Sequence, residues 1–281
     1  MYIGSHISIR GGYLEAARTA LKIGANAFQY FPKNPRSLTV KAFDVRDADG
    51  CAAFCRENGL LSIAHSPYPT NLMAEDDKGF RSTVASLQND LEIADRCGSV
   101  GVVVHFGKWK SKDPLQGYKN SIQCLNEVLT GYEGDALLLI ENQAGEGTDV
   151  GTTLEEMVHI RKLTRYPGKI GFCFDTCHAF ASGLWAGSDW AALEKRGEEL
   201  GYFEHLKAVH LNDSMYAHGS RRDRHANVNK GFIGEAHLRS LLQSAYIRHI
   251  PVVLETEPGK DRTHREEIAY ARSIAEMEGA E

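Results

Sequence analysis

The sequence predicts an α/β protein of the (β/α)8 class, a TIM barrel, on three observations. Eight strand-like segments alternate with eight helix-like ones, mostly through short connections, which calls for a parallel sheet covered by helices. Side chains of the metal-ligand type close six consecutive apolar runs, and a closed barrel is what brings so many strand ends to one mouth. No Gly-x-Gly-x-x-Gly follows the first strand, which counts against a doubly wound dinucleotide fold. At 281 residues, with no linker or low-complexity stretch, one barrel domain over 1–281 is expected.

Taken in order, Tyr2 to His6 reads as a strand, and Gly11-Gly12 turns it into a helix from Leu14 to Ile23. Ala27 to Phe31 is the second strand, followed by the loop Pro32-Lys33-Asn34-Pro35-Arg36. Asp44 opens a helix to about Asn58, where Gly59 stops it. Leu60 to His65 is the third strand, and Pro67 and Pro69 keep the next residues out of helix. A helix from Asp77 to Cys97 precedes the strand Val100 to His105. Gln116 to Thr130 is helical, Ala136 to Glu141 is a strand, and Thr152 caps a helix over Thr153 to Leu163. The sixth strand leads into Gly171–Gly183, where Ile170, Phe172 and Phe174 point one way and Gly171 and Cys173 the other. Asp189 to Leu200 is a helix and Leu206 to His210 the seventh strand; a polar loop, 212–233, follows. The helix Gly234 to Ser244, the strand Pro251 to Glu255 and the helix Thr263 to Glu278 complete the chain.

Composition excludes several classes. Charged residues at 25% and hydrophobic ones at 42% are ordinary for a soluble globular protein. No run of ~18 apolar residues marks a membrane span, and no basic-then-apolar leader marks a signal peptide. The six cysteines (Cys51, Cys55, Cys97, Cys124, Cys173, Cys177) then read as reduced thiols of a cytoplasmic protein. The net charge of −5 argues against a polyanionic partner, unless bound divalent ions offset it.

The chemistry lies at the strand ends. His65, His105, Glu141, Asp175, His210 and Glu255 each terminate an apolar run. One histidine at a strand end is usually a satisfied structural residue, and one Asp there is often a helix N-cap; six in succession are hard to produce by packing alone. His178 lies three residues past Asp175, and Asp223-Arg224-His225 offers two ligands at i, i+2. Mixed imidazole and carboxylate donors suit Zn, Mn or Fe and disfavour Ca or Mg. Such a cluster lowers the pKa of water and clamps a phosphodiester, so the residues alone point to a multinuclear metallohydrolase.

Four stretches carry a family resemblance: Ile-Gly-Ser-His-Ile-Ser at the start, Ile-Glu-Asn-Gln-Ala-Gly-Glu-Gly at 140–147, Phe-Asp-Thr-Cys-His-Ala-Phe-Ala-Ser-Gly at 174–183, and His-Leu-Asn-Asp with Gly-Ser-Arg-Arg-Asp-Arg-His at 210–225. Over essentially its whole length the chain resembles endonuclease IV (deoxyribonuclease IV), the zinc-dependent apurinic/apyrimidinic endonucleases of base excision repair. The resemblance implies a xylose-isomerase-like barrel with three zincs per chain, partial Mn or Fe replacement being possible. His65, His105 and Glu141 would hold one zinc, and Glu141 would bridge to a second held by Asp175, His210 and Glu255. His178, Asp223 and His225 would hold the third. It also implies Glu255 and Glu141 as catalytic, Arg36 and Tyr68 as DNA-probing, and duplex DNA with abasic sites as partner. Metal-activated hydroxide would cut 5′ to the lesion, leaving a 3′ hydroxyl and a 5′ deoxyribose phosphate, and 3′-blocking groups would be removed too. Basic residues gather on loops expected at the mouth: Lys33, Arg36, Lys108, Lys110, Arg221, Arg222, Arg224 and Lys230. The chain departs from the family pattern at Phe106, Ser66, Pro69 and Asn229-Lys230, positions expected in the groove and around the ligands. A sugar isomerase or epimerase of the same barrel would need one or two ions and not the His178, Asp223, His225 set. A non-catalytic damage-binding protein would have lost ligands, and none is lost. Nothing in the sequence calls for more than a monomer.

Overall fold

Ten strands and nine helices succeed one another among the described residues, 1–109 and 113–277 of this computed structural model. In chain order they are β1 (Tyr2–His6), α1 (Tyr13–Lys22), β2 (Ala27–Tyr30), α2 (Val45–Asn58), β3 (Leu61–His65), α3 (Asp77–Arg96), β4 (Gly101–Val104) and α4 (Pro114–Leu129). Then come β5 (Leu137–Glu141), α5 (Leu154–Leu163), β6 (Ile170–Asp175), α6 (Thr176–Ser182), α7 (Trp190–Leu200) and β7 (Leu206–His210). The last are β8 (Asp213–Ser214), β9 (His225–Ala226), α8 (Glu235–Leu242), β10 (Pro251–Leu254) and α9 (Arg265–Glu276).

The expected barrel is present: β1 to β7 and β10 close in the order β1-β10-β7-β6-β5-β4-β3-β2, all parallel. Closure passes through β1, which sets Tyr2 opposite Pro251 and Gly4 opposite Ala27. Gly4 has to be glycine, because a Cβ there would come within 1.6 Å of the Ala27 carbonyl oxygen. Alternation along the strands sorts two apolar layers. Ile170, Phe172 and Phe174 pack outward into the large core under the helices, as expected, while Cys173 joins Ile63, Val103, Leu139, Ala208 and Val253 inside the barrel.

Helix ends mostly follow their sequence signals. Asp44 caps α2 by accepting from Arg46 N and Asp47 N, and Gly59 ends it at φ 63°. The cap of α5 is Thr153, not Thr152: Thr153 Oγ1 accepts from Glu156 N at 3.2 Å while Glu156 Oε2 accepts from Thr153 N at 3.0 Å, a reciprocal capping box. The Thr152 hydroxyl donates instead to the Asp149 carbonyl. The loop 212–233 holds the unexpected β8–β9 hairpin, with Asp213 opposite Ala226 and Ser214 opposite His225. Glu278, the expected end of the last helix, and Lys110 lie outside the described residues. All six cysteines are buried free thiols. Among the described residues no helix is long and apolar enough to cross a membrane.

Candidate metal centre

Strand parity places the centre. Ile63, Val103, Leu139, Cys173, Ala208 and Val253 line the barrel interior, and two residues further along each chain segment stand His65, His105, Glu141, Asp175, His210 and Glu255. A period of two keeps both residues on the inward side, so all six ligand-type side chains meet at the carboxyl mouth.

Their polar atoms form three groups, within each of which the ligand atoms lie no more than 4.8 Å apart: His65, His105 and Glu141; Glu141, Asp175, His210 and Glu255; His178, Asp223 and His225. Glu141, fully buried, belongs to two of them. Its Oε2 lies 2.9 Å from His105 Nε2, and its Oε1 lies 3.1 Å from His210 Nδ1. In the third group Asp223 Oδ1 is 3.1 Å from His178 Nε2 and 3.2 Å from His225 Nε2, so the i, i+2 spacing does bring both side chains to one point. A fourth, overlapping group includes Cys177. Burial pushes that thiol up to about 12, and its Sγ–H donates to the Arg224 carbonyl, so it stays protonated.

The rings are oriented from behind. His65 Nδ1 lies 2.8 Å from the Ser66 carbonyl, His178 Nδ1 2.9 Å from that of Asn142, and His225 Nδ1 3.5 Å from that of Glu255. A carbonyl only accepts, so each ring keeps a proton on Nδ1 and turns Nε2 toward the mouth as the nitrogen open to a metal. Ligand-type atoms crowd together there: His105 Nε2 and His65 Nε2 are 3.3 Å apart, and Glu141 Oε2, His178 Nε2 and His225 Nε2 are buried without a hydrogen-bond partner. Such atoms are costly to bury unless a cation satisfies them, and their nitrogen–oxygen mixture is what zinc takes. The residues therefore fit a multinuclear metal centre.

Electrostatics agree. Burial works against an imidazolium at His178, but Asp175 and Asp223 raise its pKa well above the ordinary value. Burial likewise opposes charge on His225, yet Asp175 and Asp223 bring it to about 9. Burial would raise Glu255, but the His210 and His65 charges hold it at about 2; His105 and His210 hold Glu141 well below the usual carboxylate range against the same burial. Ionised acids wrapped in imidazoles that compete for protons form a site where a metal can displace those protons.

Asp175 does both jobs that sequence reading treated as rivals. Its Oδ1 caps α6 by accepting from His178 N at 2.6 Å, which creates the helix not expected from sequence and fixes the His178 backbone. Its Oδ2 accepts from Asn212 Nδ2 at 2.7 Å and stays in the second ligand group. Asn212 also accepts from Glu255 N, and Asn142 exchanges hydrogen bonds with the Asp175 backbone. Both asparagines sit inside the quoted 140–147 and 210–225 motifs, which were the available signal for them. Glu146 accepts from Asp223 N at 2.9 Å and so holds the third group's loop. Sequence reading missed Gln29 and His6 as well, which complete the ring of inward polar residues on β1 and β2. Burial lowers the pKa of His6 to about 4.

Tyr68 and Arg36 stand exposed beside the mouth, Tyr68 at 71%, and Tyr68 N donates to the Pro35 carbonyl, which ties their two loops together. The cleft there measures about 1110 Å³ and reaches from Tyr68 to His105, Asp223 and Glu255. Two expectations are corrected. Lys33 is buried, donating to Asp90 Oδ1 at 2.7 Å and to the Ser86 carbonyl at 2.6 Å, so it is not a surface cation. Phe106 lies in the apolar layer under the helices, not in the groove, where a Cβ on Gly151 would come within 2.4 Å of its ring. Lys108, Arg222 and Lys230 are exposed, whereas Arg221 and Arg224 pair with Asp149 and Glu146.

The family model described as a xylose isomerase-like TIM barrel matches residues 17–274. A probable endonuclease 4 of Symbiobacterium thermophilum is 44% identical over 274 residues, covering 98% of this chain and 99% of that protein. Endonuclease IV from Thermus thermophilus superposes with a TM-score of 0.85 at 33% identity, over 98% of this chain and 99% of that one. A 3-keto-D-glucoside 4-epimerase from E. coli shares the fold alone, with a TM-score of 0.70 at 16% identity over 97% and 99% of the two chains.

Proposed function

This chain belongs to the endonuclease IV family, and from that premise we propose that it cuts duplex DNA at abasic sites, hydrolysing the phosphodiester 5′ to the lesion. The products are a 3′ hydroxyl and a 5′ deoxyribose phosphate, and 3′-blocking groups are removed by the same chemistry. The observation that carries this reading is the convergence of three ligand groups with Glu141 shared between two. His65, His105 and Glu141 would hold one zinc, Glu141 with Asp175, His210 and Glu255 a second, and His178, Asp223 and His225 a third, with Mn or Fe able to substitute. When bound, the ions supply a water of lowered pKa and neutralise charge on the phosphodiester.

The chain's own groups do the rest. Glu255, ionised and fixed by Gln29, orients the attacking water and takes its proton. Arg36 and Tyr68 fill the gap beside the missing base, and Lys108, Arg222 and Lys230 hold backbone phosphates. Abasic sites are selected because extruding a nucleotide costs least where pairing is already lost. One chain supplies all nine ligands, so a monomer suffices. An epimerase of this fold has no use for the His178, Asp223, His225 group.

The deciding assay uses a duplex with a single abasic analogue and maps the cut; a 3′ hydroxyl is expected, and a 3′ unsaturated aldehyde would overturn the hydrolytic reading. His225→Ala should cost one zinc and spare the pair at Glu141, because Asp223 and His178 contribute to neither of the other groups. Metal analysis showing no loss, or loss of all three, counts against that partition. Tyr68→Ala, at an exposed side chain that belongs to none of the ligand groups, should weaken binding to abasic duplex while leaving the single-turnover rate at saturation near wild type. The reverse pattern in gel-shift and single-turnover data would remove Tyr68 from DNA recognition.

A further inference from the structure

β2 carries one polar side chain in a strand that is otherwise apolar and aromatic. Phe28 and Tyr30 pack outward under the helices, and Gln29 points the opposite way, into the barrel, with no exposure. Its carboxamide touches three groups at the mouth. Gln29 Nε2 lies 2.6 Å from Glu255 Oε1 and 3.3 Å from His6 Nδ1, and Gln29 Oε1 lies 2.7 Å from His210 Nε2.

These contacts have one consistent reading. Glu255 Oε1 accepts from Gln29 Nε2 at 2.6 Å, so the amide nitrogen is the atom facing Glu255. The reversed amide would set two oxygens against each other at 2.6 Å. The carbonyl oxygen is therefore fixed opposite His210, and it too only accepts. His210 must then carry a proton on Nε2, so Nδ1, which faces Glu141 Oε1 and Glu255 Oε2, each 3.1 Å away, is the nitrogen that can exchange its proton for a metal. His65, His178 and His225 are arranged the other way round, with Nδ1 against a carbonyl and Nε2 free.

We propose that Gln29 is a positioning residue, one that sets His210 as an Nδ1 ligand and holds Glu255 in its working rotamer, and so tunes the metal site these two share. The proposal rests on the zinc nuclease reading and adds to it a residue outside the nine ligands. The two ligands that Gln29 touches, Glu255 and His210, both belong to the second group alone, so its effect should be confined to one ion.

Two measurements test it. In the wild-type protein, long-range proton–nitrogen spectra should show His210 keeping its Nε2 proton when the site is loaded with zinc, and cadmium-113 substitution should show coupling to His210 Nδ1. Loss of the Nε2 proton on zinc loading, or cadmium coupling to Nε2, overturns the proposal with no variant needed. Cobalt titration against a competing chelator should then find that Gln29→Met, similar in shape but unable to hydrogen-bond, binds one of three ions roughly 10- to 100-fold more weakly, the usual effect of losing an outer-shell partner. The other two ions should bind as in wild type, and single-turnover cleavage should fall while affinity for abasic duplex holds. Wild-type affinity for all three ions in Gln29→Met sinks the inference and leaves the zinc nuclease reading standing. Failure of the wild-type protein to take up metal sinks that reading itself.

Discussion

Glu255→Gln lowers the single-turnover rate of abasic-site cleavage by at least ~10²-fold, the scale for losing a positioned acid–base group, with little change in DNA affinity. The neutral amide is nearly the same size, so the loss is chemical rather than steric. Glu255 is ionised because His210 and His65 hold its pKa at about 2 against burial, and an amide at this position can neither accept a proton nor offer an anionic oxygen. It also confronts Gln29 with a second amide, where the native pair is a donor against a carboxylate at 2.6 Å. Single-turnover cleavage and gel-shift titration on one preparation decide the matter. Normal cutting by this variant removes Glu255 from the mechanism.

Glu141→Gln has the larger effect on metal. Two of the three ligand groups use this one carboxylate, so the variant should retain one ion, at His178, Asp223 and His225. The amide can present one oxygen to only one of the two groups, and its NH₂ then points at His105 Nε2 or His210 Nδ1, atoms 2.9 and 3.1 Å from the native oxygens. Cleavage should fall by more than the roughly 10- to 100-fold that outer-shell losses cost. The contrast with His225→Ala is diagnostic: one substitution should spare the third site and lose the bridged pair, the other the reverse. Equal metal loss in both variants would mean that the cluster assembles as a single unit.

The sequence by itself determined the barrel and the six ligand-type residues at its mouth, because both depend on a period of two. An apolar residue that faces the interior forces the residue two positions on to face it too, and each of Ile63, Val103, Leu139, Cys173, Ala208 and Val253 is followed at that spacing by a ligand-type side chain. Asp223 and His225 were legible for a similar local reason. Periodicity says which side a residue faces and nothing about what it meets there. Gln29 meets His210 and Glu255 across 181 and 226 residues of chain, and a lone Gln in a buried strand looks the same whether or not such partners exist. Lys33 reads as one more cation of a basic loop until α3 delivers Asp90 beneath it. Asp175 as helix cap and Asp175 as candidate ligand could be told apart, and then shown to coexist, only once its two oxygens had separate partners. Tertiary closure decided these points, because a hydrogen bond or an ion pair depends on positions within about 3 Å, and strand pairing around the barrel is what brings distant residues to that range.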